Sequence, residues 1–420
     1  MTYTQAIQYI HSVSWRGSRP GLSRIEELSR RMGNPQKGLK CIHIGGTNGK
    51  GSTSAYLTAV LMAAGYKVGT FTSPYVRTFN ERIAINGKPV SNYMLAAAVE
   101  AAKPHADAME DRPTEFELIT AVGFEIFRRK KVDVVVLEVG LGGRFDSTNI
   151  IEEPLVSLIT GIAFDHMQLL GNSLAKIAWE KAGIIKDSCP AVIAKLADEA
   201  AEVILAEAKE KNSTVTAVAP EKIVVHSDTL CGIVMDYGEL KNIKTSLIGG
   251  YQPRNIALVC EAVCALEKRG MKIGKKALYS GIANAKWPAR FELLSREPVV
   301  VFDGGHNEEG VRAAIDTACR VFEGKKAVLL TGVMADKAYD GMVDIVAPHV
   351  EEVFTLKVDN PRALDAVSLA AVYTAHGVKA TANDDIAASL KAARKRAAFL
   401  GLPLLILGSL YLYKDVYRHF

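Results

Sequence analysis

The stretch "HIGGTNGKGSTSAYL" (residues 43–57) joins an apolar run to an apolar, helix-forming segment through a glycine-rich turn. A turn between a strand and a helix points backbone N–H groups and the positive end of the helix dipole at one place, which favours phosphate. The usual spacing of such a loop is a glycine, four residues, and then Gly-Lys-Ser/Thr. Here Gly51 follows Lys50, and the hydroxyls of Ser52 and Thr53 arrive one position late. The stretch therefore predicts a phosphate-binding turn with unusual spacing.

The side chains of this turn fit a nucleoside triphosphate. Gly49 and Gly51 keep the backbone open where phosphates would lie, and Lys50 can neutralise their charge. Ser52 or Thr53 can reach a Mg²⁺ ion, because magnesium prefers oxygen ligands. A tight turn without a ligand is the alternative, since glycine clusters also occur in ordinary turns. The intact run that includes Thr47 and Asn48, placed between a strand and a helix, favours ATP binding.

Apolar runs of strand length recur along the chain between helical patterns. They lie at residues 40–46, 132–140, 154–160, 298–305, 326–333, 351–358 and 403–409. Most are continuous rather than alternating, which is typical of parallel strands covered by helices on both faces. The sequence therefore predicts an α/β protein. We expect an N-terminal P-loop-type ATPase domain with a mainly parallel sheet, followed by a smaller C-terminal Rossmann-like α/β domain.

The expected domain boundary lies near residue 285. Residues 284–303 are irregular and interrupted by proline before a new series of strands and helices begins. This pattern favours one domain over residues 1–285 and a second over residues 286–420.

Composition narrows the class of protein. The 420 residues are 49% hydrophobic and 23% charged, with a net charge of +5, so the chain is globular and gives little support to nucleic-acid binding. Six scattered cysteines without a CxxC pair favour a reduced, cytoplasmic protein. Residues 397–413 carry no charge, but Gly401, Pro403 and Gly408 interrupt them. We interpret this segment as a buried strand and turn rather than a membrane span.

Charged side chains at the ends of predicted strands are candidate ligands. Glu138 closes the run 132–140, and the carboxyl edge of a parallel sheet is where ligands bind in α/β proteins. A carboxylate there suits Mg²⁺, although a solvated strand-end carboxylate fits the pattern too. Asp303 and His306 follow another strand, "VVVF", in the second domain.

Lys181 lies on the apolar side of a predicted helix. Ser173 is a plausible N-cap, and one helical stripe then carries Leu174, Ala178, Lys181 and Ile185. An unpaired ammonium on that face would be costly. The alternative is that the side chain extends to solvent beside Glu180.

Ten blocks in order resemble one family. "GGTNGKGS" (45–52) is similar to the variant ATP loop of the Mur ligase superfamily, and specifically of the folylpolyglutamate synthases, which in many bacteria are also dihydrofolate synthases. The other blocks are "FTSPYVRTFNERIAING" (71–87), "TEFELIT" (114–120), "LEVGLGGRFDSTNI" (137–150), "DHMQLLG" (165–171), "WEKAGIIK" (179–186), "YQPRNIALV" (251–259), "WPARFE" (287–292), "FDGGHN" (302–307) and "GSLYL" (408–412). The usual family spelling has alanine where Gly305 stands.

The resemblance implies roles for particular residues. It implies an ATP site formed by Thr47, Asn48, Gly49, Lys50, Gly51, Ser52, Thr53, Asn255, Arg290, Asp303 and His306. It implies two Mg²⁺ ions, with Ser52, Ser73, Glu138 and His166 as ligands, and a carbamylated lysine at Lys181. It implies folate contacts at Arg82, Phe116 and Asp146, and glutamate contacts at His306 and Ser409. For Asp146 the alternative is a turn-forming role, because "FDSTN" is rich in turn residues.

The implied activity is an ATP-dependent amide ligase. Lys50, Lys181 and His306 would act as catalytic residues, and a folate or pteroate carboxylate would become an acyl phosphate that L-glutamate attacks, with release of ADP and phosphate. The resemblance also suggests a monomer. Two alternatives stay open: a Mur-type ligase acting on another carboxylate such as a peptidoglycan precursor, and a regulatory ATPase that uses the same loop.

Overall fold

The computed structural model describes residues 1–13 and 21–420 and divides into two compact units. The first unit contains residues 1–223 and 254–285, and the second contains residues 224–253 and 286–420. The division after residue 285 coincides with the expected boundary, whereas residues 224–253 lie with the C-terminal unit rather than the N-terminal one. The reason is packing, since Ile248 belongs to the apolar core of the second unit and Asp228 pairs with Arg320 there.

An eight-stranded sheet forms the centre of the first unit. Its strands are β1 (Cys41–Gly45), β2 (Val68–Phe71), β3 (Ile83–Ile85), β4 (Lys88–Pro89), β5 (Val134–Glu138), β6 (Val156–Ile159), β7 (Ala191–Ile193) and β8 (Val215–Ala217). Their order is β4-β3-β2-β5-β1-β6-β7-β8. The two pairings at one edge, β4 with β3 and β3 with β2, are antiparallel, and the other pairings are parallel. Every residue of the central strands β1 and β5 is buried, as expected for parallel strands covered on both faces.

Helices cover this sheet. They are α1 (Tyr3–Ser12), α2 (Ser23–Arg31), α3 (Lys50–Ala63), α4 (Asn92–Asp107), α5 (Glu115–Lys130), α6 (Met167–Leu170), α7 (Leu174–Ala182), α8 (Asp198–Glu210), α9 (Gln252–Lys268) and α10 (Gly274–Asn284). Thr114 and Glu117 form a capping box at the start of α5. Helix α3 packs closely on α10, where a Cβ added to Gly281 would lie 2.3 Å from the Val60 Cα.

The second unit contains two sheets. A three-stranded sheet consists of β9 (Ile223–Thr229), β10 (Gly232–Tyr237) and β11 (Leu240–Thr245). The six-stranded sheet has the order β12-β13-β17-β14-β15-β16 and comprises β12 (Glu292–Arg296), β13 (Val299–Phe302), β14 (Ala327–Thr331), β15 (Val350–Thr355), β16 (Lys379–Ala382) and β17 (Leu404–Leu407). Its helices are α11 (Glu308–Val321), α12 (Tyr339–Val346), α13 (Ala366–Ala375), α14 (Ile386–Leu400) and α15 (Tyr413–Tyr417). Only β12 runs antiparallel to its neighbour among these six strands.

All seven apolar runs singled out in the sequence are strands, namely β1, β5, β6, β13, β14, β15 and β17. The α/β prediction is therefore confirmed. The uncharged segment 397–413 contains the buried strand β17 and then a short 3₁₀ turn at Leu410–Leu412. Within residues 1–13 and 21–420, the chain has no helix with the length and apolar character needed to cross a bilayer.

Candidate active site

The turn between β1 and α3 depends on glycine. Gly46 has a φ of 138° and Gly49 a φ of 87°, both in the region that glycine adopts without strain. A Cβ at position 46 would lie 2.0 Å from the Thr160 Oγ1, and one at position 49 would lie 2.7 Å from the Asn255 Oδ1. The predicted nucleotide contact Asn255, on α9, therefore lies directly against the turn.

The segment that follows β6 fixes the shape of the turn. The Thr160 hydroxyl donates to the Asn48 carbonyl at 2.6 Å, and the Thr47 N–H donates to the Gly161 carbonyl at 2.8 Å. The Thr47 hydroxyl also donates to the Ala163 carbonyl and accepts from its N–H, at 3.2 and 3.0 Å. Sequence reasoning missed Thr160. The available signal was its position at the carboxyl end of a strand predicted to lie in the same parallel sheet.

The first turn of α3 presents backbone N–H groups rather than a side-chain cap. Gly49 is the N-cap residue and offers no side chain to accept from them. Gly51 lies within this first turn, and Ser52 and Thr53 are buried. Among the residues that the structure describes, the Thr53 Oγ1 has no hydrogen-bond partner. An uncapped helix N-terminus behind a glycine turn is an anion-binding arrangement.

Two lysines converge on one carbonyl of the turn. The Lys50 Nζ donates to the carbonyls of Gly46 and Thr47, each at 3.0 Å, and the Lys181 Nζ donates to the Gly46 carbonyl at 2.9 Å. Lys181 lies on α7, which Ser173 caps as predicted. The lysine is only 3% exposed, so the alternative in which it extends to solvent is wrong.

Burial changes the acid–base behaviour of Lys181. Desolvation, followed by the charge of Lys50, lowers the pKa of the Lys181 amine to about 7. The carboxylates of Asp165, Glu180 and Asp146 oppose this shift. The side chain is therefore partly a neutral amine near pH 7, whereas an exposed lysine would be fully charged.

The candidate magnesium ligands are only partly gathered. Glu138 is buried at the end of β5, and its carboxylate accepts from the Ser73 backbone N–H at 3.3 Å. His166 adopts a φ of 49° before α6, and its Nε2 lies 3.8 Å from the Asp165 carboxylate. The described residues contain no ready cluster of three His, Cys, Asp or Glu side chains that could hold a metal ion. The assignment of Ser52, Ser73, Glu138 and His166 stays a prediction.

Two of the three predicted folate residues, Arg82 and Phe116, lie among aromatic side chains. The Arg82 guanidinium lies over the rings of Tyr75 and Phe79, at 5.3 and 5.4 Å from their centres. Phe116 packs edge-on against Phe71, with ring centres 5.9 Å apart. These two residues thus belong to an aromatic region of the first unit.

Asp146 has the turn-forming contacts of the alternative interpretation. One carboxylate oxygen accepts from the N–H groups of Gly140 and Leu141, at 3.0 and 2.9 Å. The other accepts from the Thr148 N–H at 3.0 Å and the Thr148 hydroxyl at 2.5 Å. Burial raises the pKa of the Asp146 carboxyl, and these four hydrogen bonds oppose that shift. Its contact with folate stays a prediction.

In the second unit, Asp303 organises the carboxyl end of β13. Its carboxylate accepts from the Gly305 N–H at 2.7 Å, the Phe291 N–H at 2.8 Å and the Tyr251 hydroxyl at 3.3 Å. Burial raises the pKa of the Asp303 carboxyl, while the positive charge of Arg290 and these donors act in the opposite direction. Asp303 therefore holds the start of the "FDGGHN" loop in a defined shape.

The remaining candidates lie near the same sheet edge. The His306 Nδ1 is 2.9 Å from the Gly304 carbonyl, and Arg290 donates to the Ala289 carbonyl at 3.0 Å. Ser409 follows β17, the parallel neighbour of β13, and its hydroxyl accepts from the Tyr411 N–H at 3.3 Å. The carboxyl-edge placement of Asp303 and His306 that the sequence predicted is found in the structure, while their ligands stay predictions.

Known proteins resemble the whole chain. The family profile described as the Mur ligase middle domain matches residues 44–263, and that of the Mur ligase glutamate ligase domain matches residues 289–410. A dihydrofolate synthase/folylpolyglutamate synthase of Bacillus subtilis is 41% identical over 372 residues, which are 86% of each chain. A folylpolyglutamate synthase of Lacticaseibacillus casei is 35% identical over 425 residues, covering 98% of this chain and 97% of the relative.

Solved structures agree with these sequence relatives. The Mycobacterium tuberculosis folylpolyglutamate synthase complexed with ADP and AMPPCP has a TM-score of 0.91 at 29% identity, covering 99% of this chain and 98% of that one. A folylpolyglutamate synthase complex with AMPPCP and folate has a TM-score of 0.85 at 32% identity, covering 100% and 99%. With a phosphate-type turn, two Mur ligase domains and relatives that match nearly end to end, the chain belongs to the folylpolyglutamate synthase family of the Mur ligases.

Proposed function

We propose that this protein is an ATP-dependent ligase that joins L-glutamate to the carboxylate of a folate or pteroate. The observation that carries the proposal is the turn between β1 and α3, where uncapped helix N–H groups and the ammonium of Lys50 lie together. Such a site suits the phosphates of ATP. Family membership supplies the acceptor class, since relatives in this family are named dihydrofolate synthase and folylpolyglutamate synthase.

Activation of the acid comes first. A carboxylate is a poor electrophile, and transfer of the γ-phosphoryl group of ATP to its oxygen forms an acyl phosphate and ADP. Lys50 and the N–H groups at the start of α3 stabilise the negative charge on the phosphoryl oxygens during transfer. The amine of L-glutamate then attacks the acyl carbon, phosphate leaves, and the amine proton is lost to form the amide.

Magnesium is the cofactor that this donor set fits. The Glu138 carboxylate accepts from the Ser73 backbone N–H, and Ser52 lies in the first turn of α3. A carboxylate and serine hydroxyls are oxygen ligands of the kind that magnesium prefers. We assign Ser52, Ser73, Glu138 and His166 as the residues that hold the ions. When bound, Mg²⁺ neutralises charge on the transferred phosphoryl group.

We also infer that Lys181 is the site of carbamylation. A neutral amine attacks CO₂ to form a carbamate with loss of one proton, and the lowered pKa of Lys181 makes neutral amine available near pH 7. The product would replace a positive charge beside Lys50 with a negative one, which relieves repulsion between the two side chains. Lys181 is then an anionic oxygen ligand rather than a cation.

Carbamylation has its own test. The protein equilibrated with ¹³C-bicarbonate at pH 8 should show one carbamate carbon resonance that Lys181→Met removes. The signal should weaken as the pH falls below about 7, because the amine becomes protonated. A resonance that survives in Lys181→Met, or none at pH 8, would rule out this site.

The ligase assignment is tested by ADP release. Purified protein with Mg-ATP is supplied with a panel of pteroates, folates and muramyl peptides, each with and without L-glutamate. We expect turnover only where a folate or pteroate and L-glutamate are both present. Turnover with a muramyl peptide would favour the other Mur ligases. Steady hydrolysis that neither acid nor amino acid changes would favour a regulatory ATPase.

The cell compartment and assembly remain proposals. We place the reaction in the cytoplasm because all six cysteines are free thiols, as expected in a reducing compartment. We propose that the protein acts as a monomer on small-molecule substrates.

A further inference from the structure

A buried histidine with no role in the proposed reaction lies on the strand that leads into the phosphate-binding turn. His43 is on β1, three residues before Gly46, and is fully buried between β5 and β6, where it pairs in register with Leu137 and Ser157. Its Nε2 lies 2.9 Å from the Thr148 Oγ1. Burial, with a smaller contribution from Lys186, lowers the pKa of His43 to about 3, so the ring is neutral at working pH. A neutral imidazole has one N–H donor and one acceptor nitrogen.

The neighbours of Thr148 set the direction of its hydrogen bonds. The Thr148 hydroxyl contacts the Asp146 carboxylate at 2.5 Å, and that carboxylate receives three further backbone N–H groups. Four donors around a carboxylate mark it as an ionised acceptor, so the single hydroxyl proton of Thr148 points to Asp146. The hydroxyl oxygen must then accept from His43, which places the imidazole proton on Nε2. A chain therefore runs from the imidazole N–H through the hydroxyl to the carboxylate.

This chain holds a loop that lies against the lysine site. Asp146 binds the N–H groups of Gly140, Leu141 and Thr148, so it ties together both ends of the segment 140–148. Glu138 ends β5 just before that segment. Within it, the Arg144 N–H donates to the Glu180 carbonyl at 2.7 Å, and a Cβ at Gly143 would lie 3.1 Å from the Lys181 Cα.

We propose that His43 is a positioning residue, which acts through Thr148 to fix the Asp146 carboxylate and the loop 140–148 for binding of the folate substrate. This inference rests on the proposed function. The hydrogen bonds join β1, the strand that leads into the phosphate turn, to the loop that carries the predicted folate contact. Neither His43 nor Thr148 touches a reacting atom in this scheme, so their effect falls on folate affinity and not on ATP affinity.

The enzymatic test compares two single variants and their double variant with the wild-type protein. His43→Leu removes the donor and Thr148→Val removes the hydroxyl, each with little change in volume. We expect each to raise KM for the folate about tenfold, the scale of one lost hydrogen bond. KM for ATP should stay within about twofold. The double variant should be no worse than either single variant, because both break the same chain.

Conservative variants separate the proposed role from simple packing. The amide nitrogen of glutamine can occupy the place of Nε2, whereas that of asparagine reaches only the place of Nδ1. His43→Gln should therefore restore folate affinity, and His43→Asn should resemble His43→Leu. Equal rises in KM for ATP and folate, additive losses in the double variant, or a drop in melting temperature with unchanged folate KM would overturn the proposal.

The protonation of His43 can also be measured by NMR in the wild-type protein, so this test does not depend on an active variant. In ¹⁵N-histidine-labelled wild-type protein, two-bond ¹H–¹⁵N couplings report which ring nitrogen carries the proton, and the signal absent from His43→Gln identifies His43. The proposal requires the Nε2–H tautomer at pH 7. The Nδ1–H tautomer would overturn it even in an active ligase. Absence of folate-dependent ADP release in the wild type would instead overturn the proposed function.

Discussion

At the scale of single residues, the site is defined by two lysine side chains that share one acceptor. Lys50 and Lys181 both donate to the Gly46 carbonyl, although they lie on different helices. Lys50 starts α3, whose first-turn N–H groups suit phosphate, whereas Lys181 is buried on α7. Their different surroundings predict different consequences of removing each charge.

Lys50→Ala should abolish turnover without unfolding the protein. The lysine is only partly buried and its hydrogen bonds go to the turn, so its loss removes charge stabilisation of the transferred phosphoryl group. We expect kcat to fall at least about a hundredfold, with little change in melting temperature. Steady-state kinetics and thermal unfolding measure both quantities. The exposed Lys37→Ala is the control, and full activity in Lys50→Ala would refute the phosphate-turn assignment.

Lys181 should make stability depend on pH. Its pKa is about 7 in the folded protein against an ordinary value of 10.5, so between these values the unfolded chain binds more protons than the folded one. The free energy of unfolding contributed by this group therefore rises with pH across that window, by up to about 1.4 kcal/mol per pH unit.

The comparison uses Lys181→Met, which keeps the volume and removes the titration. In bicarbonate-free buffer, denaturant unfolding should show the variant more stable than wild type near pH 7, and this difference should shrink towards pH 10. A difference that is independent of pH would contradict the lowered pKa.

At the scale of elements, the unit of function is the turn between β1 and α3 together with the segment after β6. Thr160 and Gly161 hold the backbone of this turn from the neighbouring strand. The turn therefore depends on tertiary contacts as well as on its own glycines. Alanine substitutions on the two sides of this contact should therefore differ in their effects on stability and on ATP binding.

Gly46→Ala should destabilise the first unit. The added methyl would meet Thr160 at 2.0 Å, and alanine is strained at a φ of 138°. We expect a loss of about 1–3 kcal/mol in the free energy of unfolding together with weaker ATP binding. Gly161→Ala is the matched control, because its Cβ would meet no atom within 4 Å and should cost under about 0.5 kcal/mol. Denaturant titration measures the stability of both variants, and calorimetry with AMPPCP measures their nucleotide binding. Similar losses in both variants would contradict the prediction.

At the scale of the whole molecule, the two units do not follow the order of the sequence. Residues 224–253 belong to the second unit, although the segments on either side of them in the sequence, 1–223 and 254–285, belong to the first. Ile248 is 5% exposed within the core of the second unit, and the Gly250 N–H donates to the Thr317 hydroxyl at 3.1 Å. The stability of the C-terminal sheet should therefore depend on a segment that precedes α9.

Ile248→Ala tests this dependence in the full-length chain. Removing a buried isoleucine side chain should cost about 2–5 kcal/mol, because it leaves a cavity in the second unit. Hydrogen exchange should show faster exchange in β13, β14 and β17, while β1 and β5 keep their protection. Val225→Ala, at a 45% exposed position of the same segment, should change neither the free energy of unfolding nor the hydrogen exchange of these strands. Loss of protection confined to β1 and β5 would instead assign the segment to the first unit.

The sequence by itself determined the α/β class, all seven of the strands it singled out and the turn at residues 45–52, because apolar runs, glycine placement and helix signals are local. It also identified Ser173 as the cap of α7. Only the tertiary structure decided that Lys181 is buried, since its acceptor, Gly46, lies 135 residues away in the chain. Thr160 and the second-unit membership of residues 224–253 likewise depend on packing between segments that are distant in sequence, which no local pattern encodes.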